Sequence, residues 1–268
     1  MLISILKRAL ILSALFFIAS FSNATESVDD DCRVSRYHEV VKVKRVTDGD
    51  TLVLTDQRKV RLIGINAPER ARDGRKAQAF SEQAKRYVES MVMSGKNISI
   101  FYGEQSQDRY GRVLAHIFID NGKNLSALLL EKGYASAIVV PPNDRFASCY
   151  FEIEKEAKRF KKNIWSHADT ASVEANKITR SQTGFQFIKG KVIRIGRSRN
   201  SIWLQLAKNF TVRIKRQDFK YFPTLNLNKL SLSQVENKTL VARGWVYQWK
   251  KGLYLQVRHS RMMNFISD

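Results

Sequence analysis

Histidine and cysteine are scarce in this chain of 268 residues, which has four of the first and two of the second. The histidines, at positions 38, 116, 167 and 259, share no regular spacing, and this argues against zinc sites and histidine nucleophiles. The cysteines, Cys32 and Cys149, are too far apart in sequence for a CxxC redox motif. Zinc chemistry and dithiol chemistry are therefore not indicated.

Long hydrophobic runs are missing except at the N-terminus. Residues 9–21 form an apolar run after Lys7 and Arg8, and Ser-Asn-Ala at 22–24 offers a cleavage site. We therefore predict a signal peptide over residues 1–24, with an uncleaved N-terminal anchor as the alternative. No other run approaches the ~18 apolar residues that a span needs. The mature chain is expected to be secreted or periplasmic, monomeric and without a stable membrane span.

An even number of cysteines in an exported protein favours a disulfide, and we predict one between Cys32 and Cys149. In the chain-entropy description, closing so long a loop stabilises the fold by about 4 to 5 kcal/mol, less any strain. The alternative is two free, buried thiols.

Acidic residues are scarce in the C-terminal part of the chain. Residues 185–268 carry 17 basic and 3 acidic side chains, a net charge of +14, whereas residues 25–170 carry 25 and 21. Concentrated positive charge favours polyanionic partners such as nucleic acid or anionic surfaces.

The residues from 39 to 167 alternate like half-buried strands with helical supports. The predicted strands lie near residues 39–44, 51–54, 59–63, 97–102 and 113–119. The predicted helices lie near residues 80–91, 124–133 and 151–162, with Asn124 as an N-cap, Gly133 just past the second helix, and Ile153, Ala157 and Phe160 buried in the third. This order suits an OB-like five-stranded barrel with three helices.

The C-terminal part shows a second β-rich pattern. Residues 168–184 are rich in Ala, Ser, Thr and Asn without an apolar period, which predicts a linker. Strands follow near residues 202–206, 210–214, 240–247 and 253–257, with a hairpin turn at 250–252. We predict a mainly β chain with some α-helix, in five parts: signal peptide 1–24, N-terminal extension 25–38, first barrel 39–167, linker 168–184, and a second small β-barrel-like, basic auxiliary domain 185–268.

Oxygen-bearing side chains and arginines recur around the turns of the first barrel. Asp48 and Asp50 share one turn, and Asn66 and Glu69 follow the third strand. Oxygen ligands without histidine or thiolate point to a hard cation, Ca2+ or Mg2+. Taken alone, an Asp-Gly-Asp sequence is most often only a turn. The arginines that accompany this group are Arg61 and Arg112.

Four motifs in this order resemble those of the staphylococcal nuclease-like, or thermonuclease, family. They are VTDGDT at 46–51, RLIGINAPE at 61–69, DRYGR at 108–112 and NIW at 163–165. The resemblance spans roughly residues 39–167. It implies an OB barrel of five strands with three helices, and Ca2+-dependent hydrolysis of DNA and RNA, with Mg2+ as an alternative ion.

The resemblance also implies a metal site. Asp50 is similar to a direct calcium ligand, Asp48 to a carboxylate beside it, and Ala67 to a residue that offers its backbone carbonyl. Asn66 departs from the family, whose well-studied members have an aspartate ligand at this place. An amide oxygen can still bind calcium, but the loss of one negative charge lowers the calcium affinity. A low affinity is compatible with function outside the cell, where calcium-binding modules have dissociation constants of about 0.1 to 1 mM. We therefore expect a weakened metal site that is still functional.

The catalytic groups follow from the same resemblance. Glu69 resembles the residue usually assigned as general base for the attacking water, and Arg61 and Arg112 resemble the pair that grips the phosphate. Forked guanidinium groups match phosphate oxygens and stabilise the charge that builds in the transition state. Arg109 and Tyr110, in the same turn as Arg112, are candidate nucleic-acid contacts. At residues 138–142 the sequence IVVPP replaces the family's nucleotide-binding tyrosines, so stacking there is expected to be lost.

Basic and aromatic residues interleave in the C-terminal part, which suits single-stranded nucleic acid. Trp245, Tyr247 and Trp249 would share one side of an ideal strand, and only one side can face the core. In the alternative interpretation, the tryptophans are core residues and the charge is a solvated face. Anionic envelope polymers are a competing partner. The candidate nucleic-acid contacts are Arg194, Arg197, Arg199, Trp203 and Arg213.

The sequence is compatible with two functions. The first is an exported Ca2+-dependent nuclease of low sequence specificity. The alternative is a noncatalytic protein that binds nucleic acid or another polyanion, in which Asn66 marks a degenerate metal site. The presence of Glu69 beside two arginines favours the first, because a binding module needs no carboxylate next to a phosphate clamp.

Overall fold

The computed structural model describes residues 32–71, 74, 76–93, 95–235 and 238–267. The predicted signal peptide, and the extension up to residue 31, lie outside the described residues. The N-terminal half contains eight strands: β1 (Glu39–Asp48), β2 (Thr51–Leu54), β3 (Lys59–Leu62), β4 (Ile65–Asn66), β5 (Asn97–Gln107), β6 (Val113–Ile119), β7 (Lys123–Asn124) and β8 (Ser136–Ala137). It also contains three helices: α1 (Ser81–Val92), α2 (Leu125–Glu131) and α3 (Ala147–Arg159).

The first sheet closes into the predicted barrel. Its strand order is β3-β2-β1-β5-β6-β7, and β3 also pairs in parallel with β6. Strands β1, β2, β3, β6 and β5 therefore form a closed five-stranded ring. Leu52, Ile100 and Ile117 are fully buried inside it. The predicted mainly β fold, with an OB-like barrel and three helices, is confirmed.

The helix ends follow local sequence signals only in part. The Asn124 side chain accepts hydrogen bonds from the backbone N–H groups of Ser126 and Ala127, as predicted for the N-cap of α2. The third helix differs from the prediction, since it spans Ala147–Arg159. Phe160 lies just past its end and is 61% exposed, so its predicted burial is wrong. Cys149, in the first turn of this helix, forms the predicted disulfide with Cys32.

The C-terminal half forms a second sheet of eight strands: β9 (Val173–Glu174), β10 (Gly184–Lys191), β11 (Arg194–Ser198), β12 (Ser201–Ala207), β13 (Phe210–Lys215), β14 (Lys238–Trp249), β15 (Gly252–Gln256) and β16 (Met263–Ser267). Its strand order is β11-β12-β13-β15-β14-β10-β9, with β16 paired to β14. All four strands predicted for this half are present. The sheet encloses its own apolar core, which includes Ile188, Leu204 and Phe210.

The segment predicted as a linker is more ordered than its composition indicates. It contains β9, which pairs in parallel with β10. Ala175 and Ile178 are buried in the second core, with 1% and 3% exposure. A two-residue strand and two isolated apolar residues are too short to produce a periodic sequence signal. The second core therefore begins before residue 185.

A buried carboxylate joins the two halves. Glu154 on α3 is 1% exposed, and its Oε1 atom accepts a 2.7 Å hydrogen bond from the Ala137 backbone N–H. Arg243 on β14 and Lys158 each place a nitrogen 2.7 Å from Oε2. Ile138, also from the first half, packs into the second core. This contact fixes the second sheet against the barrel. No helix in the described ranges is both long and apolar enough to cross a membrane.

Candidate active site

Asp50 contacts several residues of the predicted site through its carboxylate. It is 4% exposed, and its Oδ2 atom accepts a 2.8 Å hydrogen bond from the Ala67 N–H and lies 2.9 Å from an Arg61 nitrogen. Its Oδ1 atom accepts a 3.1 Å hydrogen bond from the Thr51 hydroxyl. One carboxylate thus joins the turn after β1, strand β3 and the loop after β4.

The glycine between the two aspartates permits this close packing. A Cβ atom on Gly49 would lie 2.7 Å from the Cβ of Ala67 and 2.9 Å from that of Ala84 on α1. Real Cβ atoms do not approach carbon so closely, so a side chain at this position would push the loop or the helix away. The Asp-Gly-Asp turn is therefore part of the packing that builds the site.

Arg61 is fixed in one orientation. Its side chain is 12% exposed. One terminal nitrogen donates to the backbone carbonyls of Leu62 and Ile65, at 2.8 and 3.0 Å, while the other pairs with Asp50. A charged donor group held this way loses little entropy when it binds an anion.

Arg112 is positioned by the turn before β6. The Asp108 carboxylate accepts hydrogen bonds from the backbone N–H groups of Tyr110 and Arg112, at 2.9 and 3.0 Å, and from Arg112 Nε at 2.7 Å. Burial alone would raise the pKa of Asp108, but the hydrogen bonds from Arg112 and Tyr110 outweigh it and lower the pKa. The carboxylate therefore stays charged. In the described part of the chain, the terminal nitrogens of Arg112 remain for a ligand.

Arg61 and Arg112 line the same cleft, whose volume is about 460 Å³. Arg109 and Tyr110 lie in its wall, where the Arg109 guanidinium donates to the Tyr110 hydroxyl at 2.6 Å and sits 4.8 Å from the ring centre. Tyr110 is 68% exposed. The sequence-predicted arginines and the DRYGR turn are thus brought together at one opening.

Asp48 carries the strongest electrostatic perturbation of the site. Burial raises its pKa from the ordinary value of 3.8 to about 7, and the charge on Asp50 and, to a smaller extent, on Glu69 acts in the same direction. Glu69 is exposed, and its backbone N–H and carbonyl are both held by Gln78, at 2.8 and 2.9 Å. The charges of Asp50 and Glu69 thus both raise the pKa of Asp48 in the Asp-Gly-Asp turn.

The donor set of this region fits a hard cation only with help from neutral oxygens. Within the described ranges, no three histidine, cysteine, aspartate or glutamate side chains form a cluster that could hold a metal. Two carboxylates, the half-buried Asn66 amide and the Ala67 carbonyl are all oxygen donors, the kind that Ca2+ and Mg2+ prefer. Burial and the neighbouring charge of Asp50 raise the pKa of Asp48, so a cation beside this carboxylate would favour its ionised form. The residues therefore fit a weakly bound divalent ion.

Three of the C-terminal candidates line one groove, and Arg199 and Arg213 lie outside its lining. Arg194, Arg197 and Trp203 line a groove of about 850 Å³, and the Arg213 guanidinium sits 4.7 Å from the Trp203 ring centre. Arg199 lies in the exposed turn between β11 and β12, outside the groove lining.

The sequence named the aromatic residues of the basic half without assigning them to a surface, and it did not single out Arg258. Trp245 and Arg258, from the second sheet, line the same cleft as Arg61 and Arg112. Trp249 and Tyr254 line the basic groove. The alternation of β14 contained the signal, because it placed the aromatic residues on one side of the strand, but it could not show which side faces outward.

Comparison with known proteins identifies the family of this chain. The profile of the family described as "Staphylococcal nuclease homologue" matches residues 59–167. A thermonuclease from Staphylococcus hyicus is 31% identical over 156 residues, which cover 57% of this chain and 83% of that protein. The chain belongs to the staphylococcal nuclease homologue family.

Two further relatives support the assignment. A thermonuclease from Staphylococcus intermedius is 30% identical over 126 residues, 46% of this chain and 74% of that protein. The endonuclease YncB of Bacillus subtilis is 32% identical over 168 residues, 55% of this chain and 79% of that protein. The profile of the nuclease homologue family ends at residue 167, so the strands from β9 onward lie outside it.

Proposed function

We propose that this chain is an exported, calcium-assisted nuclease that hydrolyses phosphodiester bonds of DNA, RNA or both. The observation that carries the proposal is the convergence of Arg61 and Arg112 on one cleft, with Asp50 paired to Arg61 at 2.9 Å. The relatives' names, thermonuclease and endonuclease, support a nuclease at the level of the family.

Each group has a proposed role. Arg61 and Arg112 bind the scissile phosphate and stabilise the charge that develops on its oxygens. Glu69 accepts a proton from the attacking water. Asp50, Asn66 and the Ala67 carbonyl hold Ca2+, or Mg2+, beside Asp48. A bound divalent ion would add positive charge next to the phosphate and favour the ionised form of Asp48.

Export is supported by two features. The disulfide between Cys32 and Cys149 is of a kind that persists in oxidising compartments. The apolar run at residues 9–21 has the pattern of a signal peptide, although it lies outside the described residues. We propose that the mature protein is secreted or periplasmic and acts as a monomer.

A plasmid degradation assay tests the proposal. Purified protein should digest plasmid with millimolar Ca2+ and lose that activity in chelator, and Glu69→Gln should be strongly impaired. Glu131→Gln is the matched control, because Glu131 is an exposed glutamate at the C-terminal end of α2 that lines neither the cleft nor the basic groove. It should digest the plasmid at the unsubstituted rate.

Two results would contradict the proposal. Equal digestion in calcium and in chelator would remove the metal from the reaction. Absence of digestion with every divalent ion, in a protein that still binds DNA, would favour the noncatalytic polyanion-binding alternative, in which Asn66 marks a degenerate site.

A further inference from the structure

The outward face of β14 carries a stripe of aromatic side chains, Trp245, Tyr247 and Trp249. The opposite face, with Ala242 and Val246, is buried in the second core. Trp245 and Trp249 are 43% and 48% exposed. The sequence left open which face of β14 packs on the core. In the structure the aromatic face is the one exposed to solvent.

The stripe connects two separate concave surfaces. Its first residue, Trp245, lines the cleft that contains Arg61 and Arg112. Its last residue, Trp249, lines the basic groove of the second sheet. Residues four apart on a strand are separated by about 13 Å, so the stripe spans the distance between cleft and groove in two steps.

Aromatic contacts continue the stripe into the groove. Tyr247 stacks on Tyr254 with ring centres 5.9 Å apart. Tyr254 meets Trp249 edge-on at 5.4 Å, and Trp249 lies parallel to Trp203 at 6.4 Å. Tyr247, Tyr254, Trp249 and Trp203 therefore form one aromatic cluster, and Trp245 lies next to it along the same face of β14.

The charge beside the stripe has one dominant sign. The cleft is lined by four arginines, including Arg258, and by one aspartate, Asp108. Arg258 is held by the buried Asp218 at 3.4 Å, with its side chain 31% exposed. No acidic residue is among the described residues that line the groove, whose cations are Arg194, Arg197, Lys208, Lys250 and Lys251.

We propose that this stripe binds a single strand of nucleic acid and leads it from the basic groove into the cleft. The cations would contact the phosphates, and the exposed rings would stack on the bases. A duplex is a poorer match, because its bases already stack on each other and are not available to the rings. The proposal rests on the proposed nuclease function for what happens in the cleft, and it adds the form of the substrate and the route by which it enters.

Binding without turnover tests the stripe directly. The fluorescence anisotropy of labelled oligonucleotides would be measured in chelator with Glu69→Gln protein, using single strands of about 3 and about 12 nucleotides and the matching duplex. Trp249→Ala should weaken binding of the longer single strand by about 5- to 150-fold, and should affect the short one much less. Trp245→Ala should weaken binding of both, since Trp245 lies in the cleft. The duplex should respond little to either substitution.

Matched variants separate stacking from loss of structure. Phe160→Ala removes an aromatic side chain that is 61% exposed on the first half, and it should leave binding unchanged. Trp249→Phe keeps a π-face and should retain most of the affinity. The melting temperature of each variant would be recorded, and if Trp245→Ala proves unstable, Trp249→Ala carries the comparison.

Three outcomes would overturn the proposal: binding of the longer single strand that Trp245→Ala and Trp249→Ala leave unchanged, equal effects of these substitutions on duplex and single strand, or heparin binding with the same tryptophan dependence. The last result would assign the surface to polyanions without bases. If the unsubstituted protein cleaves DNA and the tryptophan substitutions leave DNA binding unchanged, only this inference is refuted. Tryptophan-dependent binding without cleavage would refute only the proposed nuclease function.

Discussion

The burial of Asp48 predicts how the stability of the metal-free protein changes with pH. The pKa of Asp48 is raised from 3.8 to about 7 by burial and by the charge on Asp50. Between these two pH values the folded state keeps a proton that the unfolded chain has lost. The free energy of unfolding therefore falls as pH rises from about 4 to about 7, and the lost stability does not return above that range.

The size of the effect follows from the shift. One pKa unit corresponds to about 1.4 kcal/mol, so a shift of about three units sets an upper limit of roughly 4 kcal/mol. Asp48 is only partly buried, and contact with solvent screens the interaction and keeps the effect below this limit. We expect Asp48 to account for about 2 to 3 kcal/mol of lost stability between about pH 4 and pH 8.

Urea unfolding in chelator at about pH 5 and about pH 8 measures this directly. Asp48→Asn cannot ionise, so the variant should lose less stability as pH rises and should exceed the unsubstituted protein at the higher pH. Asp56→Asn is the control. Hydrogen bonds from Arg58 lower the pKa of Asp56 from its ordinary value of 3.8, so its contribution is lost only as pH falls below that value, and its replacement should leave the change between about pH 5 and about pH 8 unaltered.

Equal pH dependence in the unsubstituted protein and in Asp48→Asn would refute the reasoning. Calcium provides a second comparison. Millimolar Ca2+ should flatten the pH dependence of the unsubstituted protein, because a nearby cation favours the ionised carboxylate. It should change the pH dependence of Asp48→Asn much less.

Four further outcomes are expected. Arg112→Ala should reduce turnover by about 100- to 1000-fold, whereas Arg159→Ala, on the outer surface of α3, should leave it unchanged; a loss below about threefold would remove Arg112 from the site. Arg243→Ala should lower the urea-unfolding free energy by about 3 to 5 kcal/mol, because Glu154 keeps only one cationic partner, and an unchanged midpoint would contradict this. The double substitution of Cys32→Ser and Cys149→Ser should lower the free energy of unfolding by up to about 5 kcal/mol, because the disulfide joins residues 117 positions apart in the chain. Equal free energies of unfolding for the unsubstituted protein with and without reductant would contradict this. Asn66→Asp should bind Ca2+ more tightly in calorimetry and unfold more easily in chelator; unchanged affinity would remove residue 66 from the ligand set.

The first barrel could be predicted well because its signals are local. Strand alternation, the Asn124 cap and the Asp-Gly-Asp turn each depend on residues close in sequence, and the structure confirms the barrel, the cap and the turn. The sequence brought Arg61 and Arg112 together only through the order of the family's motifs. In the structure they lie close because β3, which contains Arg61, pairs with β6, which begins just after Arg112. Neither alternation nor spacing alone could place two such distant residues in one cleft.

The relation between the two halves could not be read from the sequence. Glu154 looks like an ordinary charged helix residue, and its burial depends on Arg243, which lies 89 positions later in the chain. The outward orientation of Trp245 likewise depends on which face of β14 packs on the second core. The sequence therefore places the aromatic residues of β14 on one side of the strand but does not show that this side forms part of the cleft wall.

Asn66 fits this electrostatic setting. The site already combines Asp48, Asp50 and Glu69, and Arg61 pairs directly with Asp50. A further carboxylate next to Ala67, whose N–H contacts Asp50, would add repulsion whenever no cation is bound. Asparagine keeps the ligand oxygen and removes that repulsion, at the cost of calcium affinity. A stable metal-free fold with weak calcium binding would suit the proposed export, after which the protein would meet its cation, and it would make an amide at this position compatible with the proposed hydrolytic site.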